Sequence, residues 1–323
     1  MKKTAKAFAP AGISSFFEIC DIDKNGNPIS DLTRVGARGG GFGLQKGVLT
    51  QVTVSEAKKP CINVFINGKH APEAETTITV IQTLLSKTGK THDVAVNHKI
   101  EVPIGAGFGT SAGGALTAGL ALSKALDLPL TYNQIGKIAH VAEVQCKTGL
   151  GTVGPLMLGG CILTLEPGAP GISVIDRLPL SPDYAIVAGV FGRTPTKQVL
   201  LSAEKRFEVN RYGRKTLEAI LDEPSVENFL ARCLEFAEKT GFITPRLKQL
   251  VKLAEKAGAV GSAQNMVGEA VHSLVLEENA NQVAEAFKQV LPSEKVIVSK
   301  VDFQGARLVS HEKIQESSSW RNL

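Results

Sequence analysis

Apolar and polar positions alternate through residues 5–19 and again through 47–66, where GVLTQVTV and CINVFI are rich in β-branched side chains. Both stretches predict strands. Between them lie Asn25-Gly26, a tight-turn signal, and a glycine cluster, GARGGGFG, at 36–43. Over 73–87 the period changes: Ile78, Ile81, Leu84 and Leu85 recur at helical spacing. HDVAVNHKIEV (92–102) alternates once more and runs into the loop PIGAGFGTS, after which small residues predict a helix from Ser111 to Leu126. Thr131 or Asn133 can cap the next helix, which should run to about Lys147 until TGLGTVGP breaks it.

GGCILTL (159–165) reads as a strand, and PGAPG with SVIDRLPLSPDY reads as a hinge. The pattern divides the chain near residue 180, into domains 1–180 and 181–323. The second half should open with the strand YAIVAGVF (184–191), continue through helices over about 196–290, and close with strands in KVIVSK and GARLVS. The polar tail after residue 310 should fray.

Hydrophobic residues make up 43% of the 323 and charged residues 21%, enough for sizeable cores and too apolar for a disordered chain. The net charge of +5 is uneven: residues 1–160 hold 16 Lys/Arg against 11 Asp/Glu, and the remainder hold 20 of each. With one tryptophan and three tyrosines, this is too little charge and stacking surface for a nucleic-acid platform, but it suits a small anionic ligand. Five scattered cysteines with no C-x-x-C pair predict reduced thiols and a cytoplasmic location. The uncharged runs Val102–Ser123 and Thr148–Leu165 are too interrupted by glycine to be spanning helices, so no membrane partner is expected.

Three patterns imitate known sites. Asp21-Ile22-Asp23-Lys24-Asn25-Gly26 starts like a calcium loop, but Leu32 stands where the bidentate glutamate is required. Gly89-Lys90-Thr91 lacks the first glycine of a phosphate loop, because position 84 is Leu84. Gly149–Gly154 spells G-x-G-x-x-G, yet a predicted helix precedes it and a strand follows, the reverse of a dinucleotide fold.

Pro103-Ile104-Gly105-Ala106-Gly107-Phe108-Gly109-Thr110-Ser111-Ala112-Gly113 carries the chemistry. Glycine at every second position lets the backbone approach a ligand, and a helix opening at Thr110 and Ser111 aims its positive end there. Such a loop is a phosphate cradle or a tight turn against a packed helix, and spacing alone leaves both open. Magnesium bridging phosphates takes hard oxygen donors, which Ser111 and Glu143, on the following helix, could supply.

The loop resembles the P-x-x-x-G-x-G-S-S-A motif of the GHMP kinase superfamily. APAGISSFF, GARGGGFGLQKGV (36–48), GTSAGGAL (109–116), HVAEVQCKTGLG (140–151) and GSAQNMVGEAV (261–271) are similar, in order, to the blocks of its pantoate kinase family. The resemblance implies an α+β GHMP kinase fold, a ribosomal-S5-like N-terminal domain plus a ferredoxin-like C-terminal domain, with ATP and substrate in the cleft between them and Mg²⁺ as the metal. The implied activity is phosphorylation of pantoate to 4-phosphopantoate in coenzyme A synthesis. Another hydroxy acid, homoserine- or mevalonate-like, and a ligand sensor without catalysis are the alternatives. A homodimer is left open.

Position by position, the resemblance puts ATP on Pro103, Gly105, Gly107, Gly109, Thr110, Ser111, Ala112 and Gly113. It puts the metal on Ser111 and Glu143, and the acceptor near His140 and Thr152, with Arg38 as a candidate carboxylate clamp. Four positions depart from the family pattern: Gly12, Ala37, Thr152 and Thr164 stand where histidine, serine, a catalytic aspartate and arginine are usual. The basic cluster Arg211, Arg214 and Lys215 is expected to be a solvated face.

Overall fold

A computed structural model describes residues 2–192 and 202–310. Its first sheet is built on two long antiparallel strands, β1 (Lys3–Cys20) and β2 (Gly36–Glu56). The glycine cluster therefore belongs to a strand rather than to a loop. The reason is close approach: residues 45 and 46 of β2 bulge opposite Pro10/Ala11, Ser15 of β1 bulges between Ser14 and Phe16, and a Cβ on Gly41 would lie 1.7 Å from the Ile13 carbonyl. Only glycine lets β2 follow that bulged backbone.

β3 (Cys61–Ile66), β4 (Lys69–His70), β5 (His92–Ile100), β6 (Cys161–Glu166), β7 (Val174–Leu178) and β12 (Arg307–Leu308) complete the sheet. The hydrogen-bonded path is β12-β1-β2-β5-β3-β4, with β6 on β2 and β7 on β6. Strand β7 falls inside the expected hinge. One face of the sheet is covered by α1 (Glu75–Leu85), α2 (Thr110–Ala125) and α3 (Tyr132–Gln145). Ala7, Ala9, Val52, Val94 and Val96 pack there against Val80, Leu84, Leu116 and Leu122. Thr131 caps α3 in a reciprocal box with Gln134. Behind α2, the buried His98 imidazole bridges Thr50 (2.7 Å) and Thr77 (3.1 Å). Burial holds it neutral, with its pKa lowered to about 4.

The second sheet is antiparallel, in the order β11 (Val296–Lys300), β8 (Tyr184–Gly192), β10 (Glu269–Leu276), β9 (Gly261–Gln264). Numbered within this half the order is 4-1-3-2, the ferredoxin-like arrangement. Helices α5 (Ala203–Asp222), α6 (Val226–Lys239), α7 (Pro245–Lys256) and α8 (Ala280–Lys288) are interposed along the chain. The hairpin of β9 and β10 replaces helix expected within 256–280; Ala263, Ala270 and Leu274 bury there. Helix expected before 202 and the tail beyond 310 lie outside the described residues.

The halves share a core in which Phe16 and Phe42 of the first sheet meet Phe229 edge-on at 6.1 and 5.5 Å between ring centres. No described helix is long and apolar enough to cross a membrane.

Candidate active site

Strand β5 delivers the chain to Pro103, and α2 takes it away at Thr110. Between them Gly105, Gly107 and Gly109 have φ of 80°, 80° and 59°, left-handed backbone that a side chain would strain. The loop is fixed from both sides. Gly12 of β1 donates its N–H to the Phe108 carbonyl at 3.1 Å. The β9–β10 turn leans on the loop, where a Cβ on Gly107 would be 3.0 Å from that of Asn265 and one on Gly268 would be 2.6 Å from the Ala106 carbonyl. That turn is itself tied to β1 by a buried chain, Ser15 to His272 (3.0 Å) to Asn265 (2.9 Å). Sequence reasoning placed the block GSAQNMVGEAV without finding this buttress, since nothing local shows that it touches residue 107.

Ser111, in the first turn of α2, donates its hydroxyl to Glu143 Oε1 at 2.6 Å. Glu143 is 3% exposed and its hydrogen-bonding side-chain partners are hydroxyls, so burial pushes its pKa up. Helix α3 ends just beyond it. Lys147 adopts left-handed φ (56°), its N–H reaches the Val144 carbonyl, and the N–H of Thr148 reaches that of Glu143. This is a Schellman turn, and it folds Thr148 back over the helix end. The Thr148 hydroxyl then donates to the same Oε1 at 2.7 Å. Thr76, at the start of α1, bonds Thr148 at 3.0 Å and lies 3.4 Å from Ser111. Neither threonine stood out in the sequence.

A buried carboxylate beside a hydroxyl, with no cationic partner in the cluster, suits a hard divalent cation; Ser111 and Glu143 fit magnesium. Gly149 makes room for the carboxylate, because a Cβ there would sit 2.3 Å from Glu143 Oε2.

Thr152 begins α4 (Val153–Leu158) beside the cradle. Its methyl lies 2.8 Å from where a Cβ on Gly109 would be and 3.4 Å from one on Gly12. Ala37 abuts the same turn, 3.1 Å from a Cβ on Gly151, and Thr164 is one strand away, paired with Gly39. Three of the departures therefore cluster: Gly12, Ala37 and Thr152 surround the 149–152 turn. A Cβ on Gly12 would strike Leu156 at 2.7 Å, so a larger residue there requires Leu156 to move.

His140 does not join this cluster. Its ring is 1% exposed and donates from Nε2 to the Val35 carbonyl at 2.9 Å, while burial lowers its pKa. The imidazole anchors the chain entering β2 instead of presenting an edge to a ligand. Arg38 is engaged too: its Nη2 is 2.7 Å from Glu18 Oε2, and Glu18 Oε1 accepts from Arg214 at 2.9 Å. Arg214 lies on the solvated face expected of it, with its side chain 59% exposed, and its guanidinium still reaches the buried Glu18 carboxylate. Two guanidiniums share one carboxylate, which leaves one positive charge in excess. Arg38 Nε is buried without a partner.

Asp23 accepts the N–H groups of Asn25 and Asn27 in a turn, and the hollow it lines with Arg34 and Glu166 contains no residue of the cradle. Among the described residues no three or more acidic, histidine and cysteine side chains come together in metal-site geometry.

Residues 75–160, which span the cradle and Glu143, match the GHMP kinases N terminal domain. The chain is 34% identical over 287 residues to a pantoate kinase of Thermococcus kodakarensis, covering 87% of this chain and 90% of that one. It is 29% identical to a pantoate kinase of Methanocaldococcus jannaschii, covering 87% and 96%. A solved phosphotransferase related to the CoA biosynthesis pathway superposes with a TM-score of 0.83 at 30% identity, over 95% of this chain and 98% of that one. A homoserine kinase from Cytophaga hutchinsonii shares the fold alone, with a TM-score of 0.70 at 18% identity over 96% and 98%. The chain belongs to the pantoate kinase family of the GHMP kinases.

Proposed function

We propose that the chain transfers the γ-phosphoryl group of ATP to the primary hydroxyl of pantoate, giving 4-phosphopantoate and ADP. The observation that carries this reading is the 2.6 Å contact of Ser111 with the buried Glu143, at the helix end that a left-handed glycine loop opens. N–H groups of 105–113 and the positive end of α2 hold the phosphates. Bound at Ser111 and Glu143, Mg²⁺ would supply charge neutralisation on the phosphates. Domain 1–180 is read as the nucleotide-binding half, facing the ferredoxin-like half across the site.

Thr152 takes the place of the usual aspartate. A threonine hydroxyl is no general base near neutral pH, but a loose phosphoryl transfer needs little proton removal before the P–O bond to the leaving ADP is broken. Thr152 then orients the acceptor hydroxyl by a hydrogen bond, and the proton passes late to a phosphoryl oxygen. The excess positive charge of Arg38, Arg214 and Glu18 suits the pantoate carboxylate. His140 contributes indirectly, by fixing the backbone at Val35 three residues before Arg38.

ADP release measured across pantoate, homoserine and mevalonate, with a no-acceptor control, tests the reading. Pantoate should stimulate release most, and Arg38→Gln should raise KM for pantoate more than it lowers kcat. Stimulation by neutral sugars but not by hydroxy acids would remove pantoate. Binding of both ATP and pantoate with no ADP release would favour a sensor, the second reading that Thr152 permits.

A further inference from the structure

The hydrogens around Glu143 can be assigned by counting. Thr148 has one hydroxyl proton, and it goes to Glu143 Oε1 at 2.7 Å. In its 3.0 Å contact with Thr76, Thr148 must therefore accept, and Thr76 donates. Ser111 spends its own proton mainly on the same Oε1 at 2.6 Å. The result is a directed chain, Thr76 to Thr148 to Oε1, with Ser111 arriving from the other side. Among the described residues no side-chain donor reaches Oε2, which rests against the bare Cα of Gly149.

We infer that Thr76 and Thr148 are positioning residues that make Glu143 offer a divalent cation a single oxygen, Oε2, and so set the preference for magnesium over calcium. This rests on the reading of Ser111 and Glu143 as the metal site. Magnesium is small, keeps octahedral geometry and is served by single carboxylate oxygens. Calcium accepts more ligands at longer range and commonly takes both oxygens of a carboxylate. A carboxylate with one oxygen saturated by two hydroxyl donors cannot offer both without breaking those bonds. The arrangement is rigid because its parts sit on three elements: the first turn of α1, the first turn of α2 and the Schellman turn after α3.

The test is the affinity of a fluorescent ATP analogue, measured without turnover, with saturating Mg²⁺ and with saturating Ca²⁺. Thr148 is exposed, so Thr148→Val, which keeps the shape and removes the donor, should fold. Its Mg²⁺-supported affinity should fall about tenfold, the scale seen when a group behind a metal ligand is lost. The Ca²⁺-supported affinity should hold or rise. Thr148→Ser, which keeps the donor, should restore the parental ratio, and Thr76→Val should shift the ratio in the same direction by less. Parallel losses with both cations, or no change in the ratio, would overturn the inference while leaving the metal site standing. Glu143→Gln separates the two: if it binds the Mg²⁺ form as the parent does, the metal reading falls and takes this inference with it.

Discussion

The methyl group of Thr152 fills the space that any side chain on Gly109 would need, 2.8 Å from the missing Cβ. The residue at the usual base position is thus also a packing neighbour of the phosphate loop, and its two substituents have separate tasks. Thr152→Val keeps the packing volume and loses only the hydrogen bond, worth about 1 kcal/mol net. Turnover should fall about tenfold with the melting temperature unchanged. Thr152→Asp should not be required for activity; a protein that turned over only as that variant would show that a carboxylate base is indispensable here.

Ser111→Ala and Glu143→Gln should each reduce turnover by about two orders of magnitude, the scale for losing an electrostatic contact to the transition state. Steady-state ADP release checks this. Near-parental rates in both would remove the metal assignment.

Gly149→Ala tests the same carboxylate from the other side. The added methyl would sit 2.3 Å from Oε2 unless Glu143 turns away, so turnover should fall about tenfold or more through displacement of a ligand. A parental rate, with Glu143 unmoved in a crystal structure of the variant, would contradict the packing.

Acid should destabilise the fold through His98. Its folded pKa of about 4 lies below the ordinary 6.5. Between those values the unfolded chain binds a proton that the buried ring cannot, so stability is lost as pH falls. From pH 7.5 to 4.5 the loss from this group is about 2.5 kcal/mol. Denaturant melts at the two pH values should differ by that much more in the parent than in His98→Gln. His272, lowered to about 3, adds a loss of the same sign in both proteins.

Glu18 is 3% exposed between Arg38 and Arg214. Glu18→Gln leaves two guanidiniums facing each other without a counter-charge and should cost about 2 kcal/mol. That is below the range of about 3–5 kcal/mol for a broken, fully buried pair, because Arg214 is more than half exposed. Denaturant titration measures it, and a change under 0.5 kcal/mol would mean that the cluster is screened by water.

Local signals were legible where one residue type has one physical job. The alternating glycines marked the loop whose backbone is left-handed at 105, 107 and 109, and Thr131 marked a helix start because its hydroxyl answers orphan N–H groups. Ser111 and Glu143 were named together from their oxygen donors and the family resemblance, and the fold brings them within 2.6 Å. What stayed hidden needed partners distant in sequence. Thr76 and Thr148 are ordinary threonines until three elements meet. His140 looks like a substrate contact until Val35 arrives to accept its proton. Arg214 belongs to a charged helix face until β1 brings Glu18 beneath it. The glycines at 39–41 were placed between the strands because their reason, a bulged neighbour, lies on another strand. The β9–β10 hairpin was masked for the same cause: its small and polar residues bury only against residues from elsewhere in the chain.

Strand β12 lies beside β1, with Leu308 opposite Ala7 and Arg307 opposite Phe8, and Gly160 donates its N–H to the Asp302 carbonyl. A chain emerging from the ribosome can therefore lay down the glycine cradle and Glu143 early, yet β1 keeps an open edge until residue 308 has been made. The whole ferredoxin-like half is synthesised in the interval. The half that begins first is closed last, so a nascent chain halted after the β9–β10 hairpin but before residue 300 exposes a bare strand edge beside a nearly complete site.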